Sequence, residues 1–179
     1  MITIRRITEK SDETLEDLCA LLIDAVHSGA SVGFLAPLAP ATAEAYWEQV
    51  FNSLSSDHIL WVAERGGRVI GSVQLAASPK ENGRHRAEIQ KLFVHTACRG
   101  QGIASKLMLT AEDFAHANDR LLLVLDTQTG SEAEAIYQHL GWQKAGEIPL
   151  YAASPDGTLQ ATSYFYKIIH SNPKPSLTT

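Results

Sequence analysis

Residues 88–105 read EIQKLFVHTACRGQGIAS. The apolar run Leu92-Phe93-Val94 leads into a loop punctuated by Gly100 and Gly102, and Ile103, Leu107, Ala111 and Phe114 then recur at helical spacing. The pattern predicts a strand over 87–95, a glycine loop, and a helix over 102–118. Glycines let the backbone turn sharply and approach a ligand closely, while the unpaired N–H groups and dipole of a helix N-terminus attract an anion. Phosphate is the anion such a loop suits, and Arg99 adds a side-chain charge. Ile103-Ala104 after Gly102 excludes a Walker A loop, and the spacing is not G-x-G-x-x-G. Taken alone, Arg-Gly-x-Gly also reads as a surface turn that caps a helix.

Working outward, Leu121–Leu125 is continuously apolar, which suits a strand buried on both faces. Strand, helix and strand then make a βαβ unit with one parallel pair. Upstream, the β-rich runs Ile59–Glu64 and Val69–Leu75 are joined by Arg65-Gly66-Gly67-Arg68, a hairpin signature. A short strand over 2–7 precedes a helix capped at Ser11 or Asp12, with Leu15, Leu18, Leu22 and Val26 on one face, ending near His27. The stretch 27–34 mixes glycines and small residues with Phe34 and reads as a loop. A second helix carries Tyr46, Trp47, Val50, Phe51 and Leu54. Downstream, Ser131-x-x-Glu134 is a capping box for a short helix with Ile136, Tyr137 and Leu140 that stops at Gly141. Strands at Trp142–Ile148 and Ser163–Ile169 flank a Pro155-Asp156-Gly157 turn. The order β, α, α, β, β, β, α, β, α, β, β predicts an α/β (α+β) fold: a mixed, mostly antiparallel seven-stranded sheet flanked by about four helices.

The 179 residues suit a single domain over 1–169, followed by a flexible, polar, Pro-rich tail over 170–179. With 45% hydrophobic and 20% charged residues the composition is ordinary for a globular chain. A net charge of -5 argues against a nucleic-acid binder and leaves a cationic small substrate comfortable. No run approaches the ~18 apolar residues needed to span a bilayer, and the first residues lack the apolar core of a signal peptide. Cys19 and Cys98 are too few and too far apart for a disulfide framework or zinc site, so a reducing cytoplasm is expected. The histidines show no H-E-x-x-H spacing, and no metal is expected.

Arg99-Gly100-Gln101-Gly102-Ile103-Ala104 resembles motif A of the GCN5-related N-acetyltransferases, Gln/Arg-x-x-Gly-x-Gly/Ala after a strand and at the start of a helix. The element order extends the likeness over nearly the whole chain. The resemblance implies that acetyl-CoA is the cosubstrate, its pyrophosphate held by loop amides over Arg99, Gly100, Gln101, Gly102, Ile103, Ala104 and Ser105. It also implies that Leu92, Phe93 and Val94 splay from the strand of Asp126, with pantetheine in the gap. A narrower likeness, to the tabtoxin-resistance acetyltransferases, rests on Val26-His27-x-Gly29-Ala30-Ser31-Val32-Gly33-Phe34, Arg86-Ala87-Glu88-x-Gln90-Lys91-Leu92, Leu125-Asp126-Thr127-x-x-Gly130-Ser131-x-Ala133-Glu134-Ala135, and Ser154-Pro155-Asp156-Gly157.

Acetyl transfer to an amine needs a free amine, a stabilised oxyanion and a proton for the departing thiolate. The resemblance implies that Glu88 and Asp126 orient and deprotonate the amine, that Tyr137 hydrogen-bonds or protonates the sulfur, and that the Val94 N–H polarises the carbonyl. Structural roles stand beside these: Glu88 pairing with Arg86 or Lys91, Asp126 capping the turn before Ser131, Tyr137 packing in the core. His27, Ser31, Val32, Phe34 and Tyr151 are expected to close over the acceptor, with helix capping the simpler role for His27. The leading expectation is acetylation of a small-molecule amine, a tabtoxinine-like β-lactam or amino-acid-like toxin among them, and hence toxin resistance. The alternatives are a protein or peptide N-acetyltransferase and a non-catalytic acyl-CoA sensor. A homodimer follows from the family likeness and from the frequency of two-fold assemblies.

Overall fold

The Arg65-Gly66-Gly67-Arg68 turn forms as its chemistry requires: both glycines have positive φ (58° and 79°), and Arg65 faces Arg68 across the hairpin. In the computed structural model, which describes residues 1–169, this hairpin joins β2 (His58–Arg65) to β3 (Arg68–Ala77). Around it lie β1 (Thr3–Ile7), α1 (Asp12–His27), α2 (Pro40–Ser53), β4 (Arg86–Val94), α3 (Ile103–Ala117), β5 (Leu122–Gln128), α4 (Glu132–His139), β6 (Gln143–Ala153) and β7 (Leu159–Ile168). Single 3₁₀ turns at Glu81–Gly83 and Thr96–Cys98 were not anticipated, and the predicted tail at 170–179 lies outside the described residues.

The seven strands form one sheet in the order β1-β2-β3-β4-β5-β7-β6, antiparallel except for the β4–β5 pair. Alternation along the strands divides the core in two. Ile59, Trp61, Val73, Leu75, Ile89, Leu123, Leu125 and Phe165 face α3 and α4, whereas Leu60, Val62, Val69 and Phe93 face α1 and α2. An isolated helix the length of α1 is marginal in water. Burial of Leu18, Leu21, Leu22 and Val26 against the sheet stabilises it, by about 1.5–3 kcal/mol for each large side chain. Gly71 sets the approach of α3, because a Cβ there would lie 3.0 Å from the Phe93 carbonyl and 3.2 Å from Leu107. Among the described residues no helix is long and apolar enough to cross a membrane.

Three expectations are corrected. The strand expected to be buried on both faces is not: Leu123 and Leu125 are buried, Leu122 and Val124 are half-buried, and Leu121 is 41% exposed. The core under α1 and α2 takes residues from β1 to β4 and none from β5, β6 or β7, so that face of β5 has no helix over it. The capping box is also incomplete. Ser131 is the N-cap residue of α4, yet its Oγ makes no cap bond and faces the Thr127 hydroxyl, while the Glu134 carboxylate accepts from the Gly130 N–H at 3.1 Å. Finally, β6 runs past Pro149 to Ala153, beyond the end at Ile148 that the sequence pattern predicts. Proline is tolerated on an edge strand, and the ladder absorbs it in an irregularity between Ile148 and Ala152 that leaves Leu150 at φ 54°.

Candidate active site

The site is built on an interruption of the sheet. β4 and β5 pair at Arg86–Leu122, Ala87–Leu123 and Glu88–Val124, and the ladder then stops although both strands continue. At the same level β4 carries a bulge: Gln74 faces Gln90 and Ser72 faces Phe93, so Lys91 and Leu92 stand opposite one residue, with Lys91 at φ 53°. The extra residue reverses the alternation. Ala87 and Ile89 point into the core under α3, whereas Phe93 points under α1 and α2, edge-on to Trp47 at 6.5 Å. The His95 N–H bonds to the Ile70 carbonyl at 2.9 Å. Antiparallel alternation therefore turns the N–H of the preceding residue, Val94, away from β3 and toward the gap.

Two contiguous cavities open along this gap. The first, about 510 Å³, is lined by Glu88–Phe93, Asp126–Gln128, Tyr137, Tyr151 and the loop 29–33. The second, about 520 Å³, is lined by Leu92–Val94, Cys98–Gly100, Gly102–Ser105 and the start of α4. Leu92, Phe93, Gly29, Ala30, Ser131 and Ala133 border both.

At the second cavity Gly100 and Gly102 both have φ 72°, and Gly102 is the N-cap residue of α3. The Lys106 N–H makes the first intrahelical bond, to the Gly102 carbonyl at 3.1 Å. The amides of Ile103, Ala104 and Ser105 precede it and so lack helical acceptors. Helix α1 fixes the loop from the side: Asp24 accepts from the Thr96 N–H at 2.8 Å and its hydroxyl at 2.7 Å, and Arg99 donates to the Ser28 hydroxyl at 3.0 Å. These free amides, one guanidinium and an exposed strand edge suit a ligand with phosphates at one end and an extended amide chain, as acetyl-CoA has.

At the first cavity, register places Glu88 beside Val124, and Asp126 lies two residues further along the same face of β5. Glu88 is half-buried, Asp126 is exposed, and neither forms an ion pair among the described residues. Asp126 accepts from the Thr162 hydroxyl at 2.8 Å and does not cap the turn at Ser131. Tyr137, 6% exposed, packs against Phe165 at 5.8 Å and Trp142 at 6.1 Å while lining the cavity. Burial raises its pKa well above the ordinary phenol value, and Asp126 adds to the effect. Tyr151 and Tyr164 share a hydroxyl–hydroxyl bond of 2.8 Å. The Tyr164 phenol is pushed up to about 12, chiefly by that bond.

Of the residues singled out in the sequence, Glu88, Asp126, Tyr137, Ser31, Val32 and Tyr151 converge on the first cavity. Val94, Arg99, Gly100 and Gly102–Ser105 converge on the second, and Leu92 and Phe93 on both. Gln101 lines neither and pairs outward with Arg65. His27 also lies outside, its Nε2 accepting from the Leu38 N–H at 3.1 Å. Phe34, half-buried, packs edge-on against Tyr46 at 5.5 Å, beside the core under α1 and α2. The sequence reading gave no site role to Lys91 or Thr162. A lysine within β4, where the alternation of Ala87-Glu88-Ile89-Gln90 ends, was the available sign, but the bulge that turns it inward has no glycine to announce it.

A model of the acetyltransferase (GNAT) domain matches residues 56–144, which span β2 to the start of β6 and hold most of both cavities. An uncharacterized N-acetyltransferase in the hisH-hisA intergenic region of Azospirillum brasilense is 33% identical over 129 residues, 71% of this chain and 76% of that one. The chain belongs to the GNAT acetyltransferase family. It is an acetyl-CoA-dependent N-acetyltransferase. Mouse N-acetyltransferase 8 is 41% identical over 93 residues, 49% of this acetyltransferase but only 39% of that longer protein. An acetyltransferase structure from Salmonella typhimurium, solved with its cofactor acetyl-CoA, superposes with a TM-score of 0.76 at 17% identity, covering 99% of both chains. The GNAT fold is thus shared across the seven strands and four helices.

Proposed function

We propose that this acetyltransferase, as a single domain over 1–169, acetylates the amine of a small molecule, with tabtoxinine-like β-lactams and amino-acid-like toxins as the substrate class. The observation that carries this reading is the first cavity, where two carboxylates that form no ion pair among the described residues face a space of about 510 Å³ beside the phosphate-type loop. The loop 29–33 and Tyr151 wall that space, and the Ala36 N–H bonds to the Pro155 carbonyl at 2.9 Å, joining the two covering loops. Such a wall fits a compact acceptor better than an extended peptide.

Acetyl-CoA supplies the acetyl group as a thioester. The amides from Gly100 to Ser105 and Arg99 hold its phosphates, and the β4 edge holds its amide chain. Glu88 and Asp126 attract the acceptor's ammonium and take its proton, which an alkylamine with a pKa near 10.4 otherwise retains at neutral pH. The Val94 N–H donates to the carbonyl oxygen as negative charge grows there. Tyr137 offers a proton to the departing sulfur.

Thiol release from acetyl-CoA across tabtoxinine-like β-lactams, amino acids, polyamines, aminoglycosides and peptides tests the substrate class. Turnover confined to compact amines is expected, and turnover confined to peptides would replace this reading with protein acetylation. Tyr137→Phe keeps the ring in its core site, so the variant should fold normally and lose about 100-fold or more in kcat. The raised pKa keeps the phenol protonated where an ordinary tyrosine begins to ionise. The wild-type rate should therefore show no loss of this acid up to pH 10, and a Tyr137→Phe enzyme with normal kcat would remove the residue from the mechanism.

A further inference from the structure

We infer that Lys91 is the anchor for an acceptor carboxylate, so that the first cavity takes a zwitterion with its ammonium at Glu88 and Asp126 and its carboxylate at Lys91. This rests on the amine-acetylation reading above and narrows it to amino-acid-like acceptors. The bulge in β4 turns the side chain into the cavity, where the residue is half-buried. Its Nζ donates to the Val32 carbonyl at 2.6 Å and lies 6.0 Å from the centre of the Tyr46 ring. Among the described residues it forms no ion pair within 4.0 Å.

That arrangement is unusual for an ammonium withdrawn from water, which ordinarily lies against an anion. Two carboxylates are available in the same cavity, and the lysine does not sit on either. It is held instead against the 29–33 loop, where a Cβ on Gly33 would lie 3.3 Å from Nζ. An ammonium has three donors, and Lys91 directs one of them to the Val32 carbonyl. The cavity is therefore bipolar, with anionic groups on the strands and a cation on the loop wall. Burial lowers the pKa of Lys91 below the ordinary lysine value, while Asp126 and Glu88 act in the opposite direction. A ligand carboxylate against Nζ would restore the stabilisation that burial removes. A polyamine or aminoglycoside would instead bring a third positive group toward this cation.

The test measures binding separately from turnover. Protein saturated with CoA is titrated by calorimetry with free amino acids, their carboxamides and their decarboxylated amines, using wild type, Lys91→Gln and Lys91→Arg. Gln keeps a donor for the Val32 carbonyl and removes the charge, and CoA affinity reports whether the cleft has survived. Free amino acids should bind wild type roughly 10- to 100-fold more tightly than their carboxamides, as expected for one charge-assisted hydrogen bond. Lys91→Gln should erase that preference without weakening the carboxamides, and Lys91→Arg should restore part of it. Equal binding of acids and carboxamides by wild type, or an equal loss of both in Lys91→Gln, would overturn the inference. Tight carboxylate-dependent binding without acetylation would leave the anchor standing and remove the proposed reaction instead.

Discussion

Glu88→Gln and Asp126→Asn are each expected to lower kcat by about 10²–10⁴-fold, the usual contribution of a positioned proton acceptor. Affinity for acetyl-CoA should stay near the wild-type value. The argument starts from register. Glu88 is the last residue of β4 paired with β5, so its side chain stands where the strands begin to part. Asp126 follows on the same face of β5 and borders the same cavity. Neither carboxylate is tied to a basic group among the described residues, so neither substitution breaks an ion pair. Asparagine at 126 still offers an oxygen to the Thr162 hydroxyl that now bonds Asp126 at 2.8 Å. Folding should thus be preserved, and the loss should fall on proton transfer and on attraction of the ammonium.

The two carboxylates serve one proton, so the double variant should be only slightly worse than the more damaged single variant. Single-turnover acetylation with saturating acetyl-CoA, together with calorimetry of CoA binding, separates the effects. Normal turnover in both single variants would assign the base elsewhere. A large loss in CoA affinity with unchanged kcat would make the pair structural to the cleft. A loss in Glu88→Gln far exceeding that in Asp126→Asn would identify the residue at the strand divergence as the base and Asp126 as an electrostatic partner.

What the sequence disclosed follows from how local each determinant is. The Arg65–Arg68 hairpin and the Gly100–Gly102 loop were legible because a few adjacent residues impose their backbone shape. The strand, loop and helix around residues 88–118 were legible for the same reason, and the second cavity follows from them. The first cavity depends on features with no local signature. Its opening exists because the β4–β5 ladder ends after Glu88, and its cation points inward because Lys91 takes a left-handed conformation unusual for a lysine. Residue type indicated which groups could act, but tertiary packing decided where they point. Gln101 in the motif turns out to Arg65, and Phe34 turns onto Tyr46 at the margin of the core. Continuous apolarity at Leu121–Leu125 suggested burial on both faces, because sequence alone does not show where the α1–α2 layer stops.

The largest stability effect is expected at Glu112, a residue outside both cavities. It is 7% exposed, on the sheet face of α3, and accepts from the Trp142 indole N–H at 2.7 Å and from Lys167 Nζ at 2.6 Å. Lys167 also donates to the Leu140 carbonyl at 2.7 Å, so one carboxylate joins α3 to β7, to the end of α4 and to the residue just before β6. In Glu112→Leu the indole N–H is left without an acceptor and the ammonium without its counter-charge. Breaking a buried pair from one side costs roughly 3–5 kcal/mol. Lys167 keeps 23% of its side-chain exposure and can partly rehydrate, which places the expected loss near the lower end, about 3 kcal/mol. At about 2–4 °C per kcal/mol for a chain of this size, Tm should fall by roughly 6–12 °C. Glu112→Gln retains an acceptor for Trp142 and should lose clearly less. Glu112→Leu combined with Lys167→Met removes the stranded charge and should recover part of the stability, as a double-mutant cycle in urea would show. If Glu112→Leu matched wild type in urea midpoint with an unchanged m-value, the carboxylate would be a bystander, and packing of Trp142 alone would hold α3 against β6 and β7.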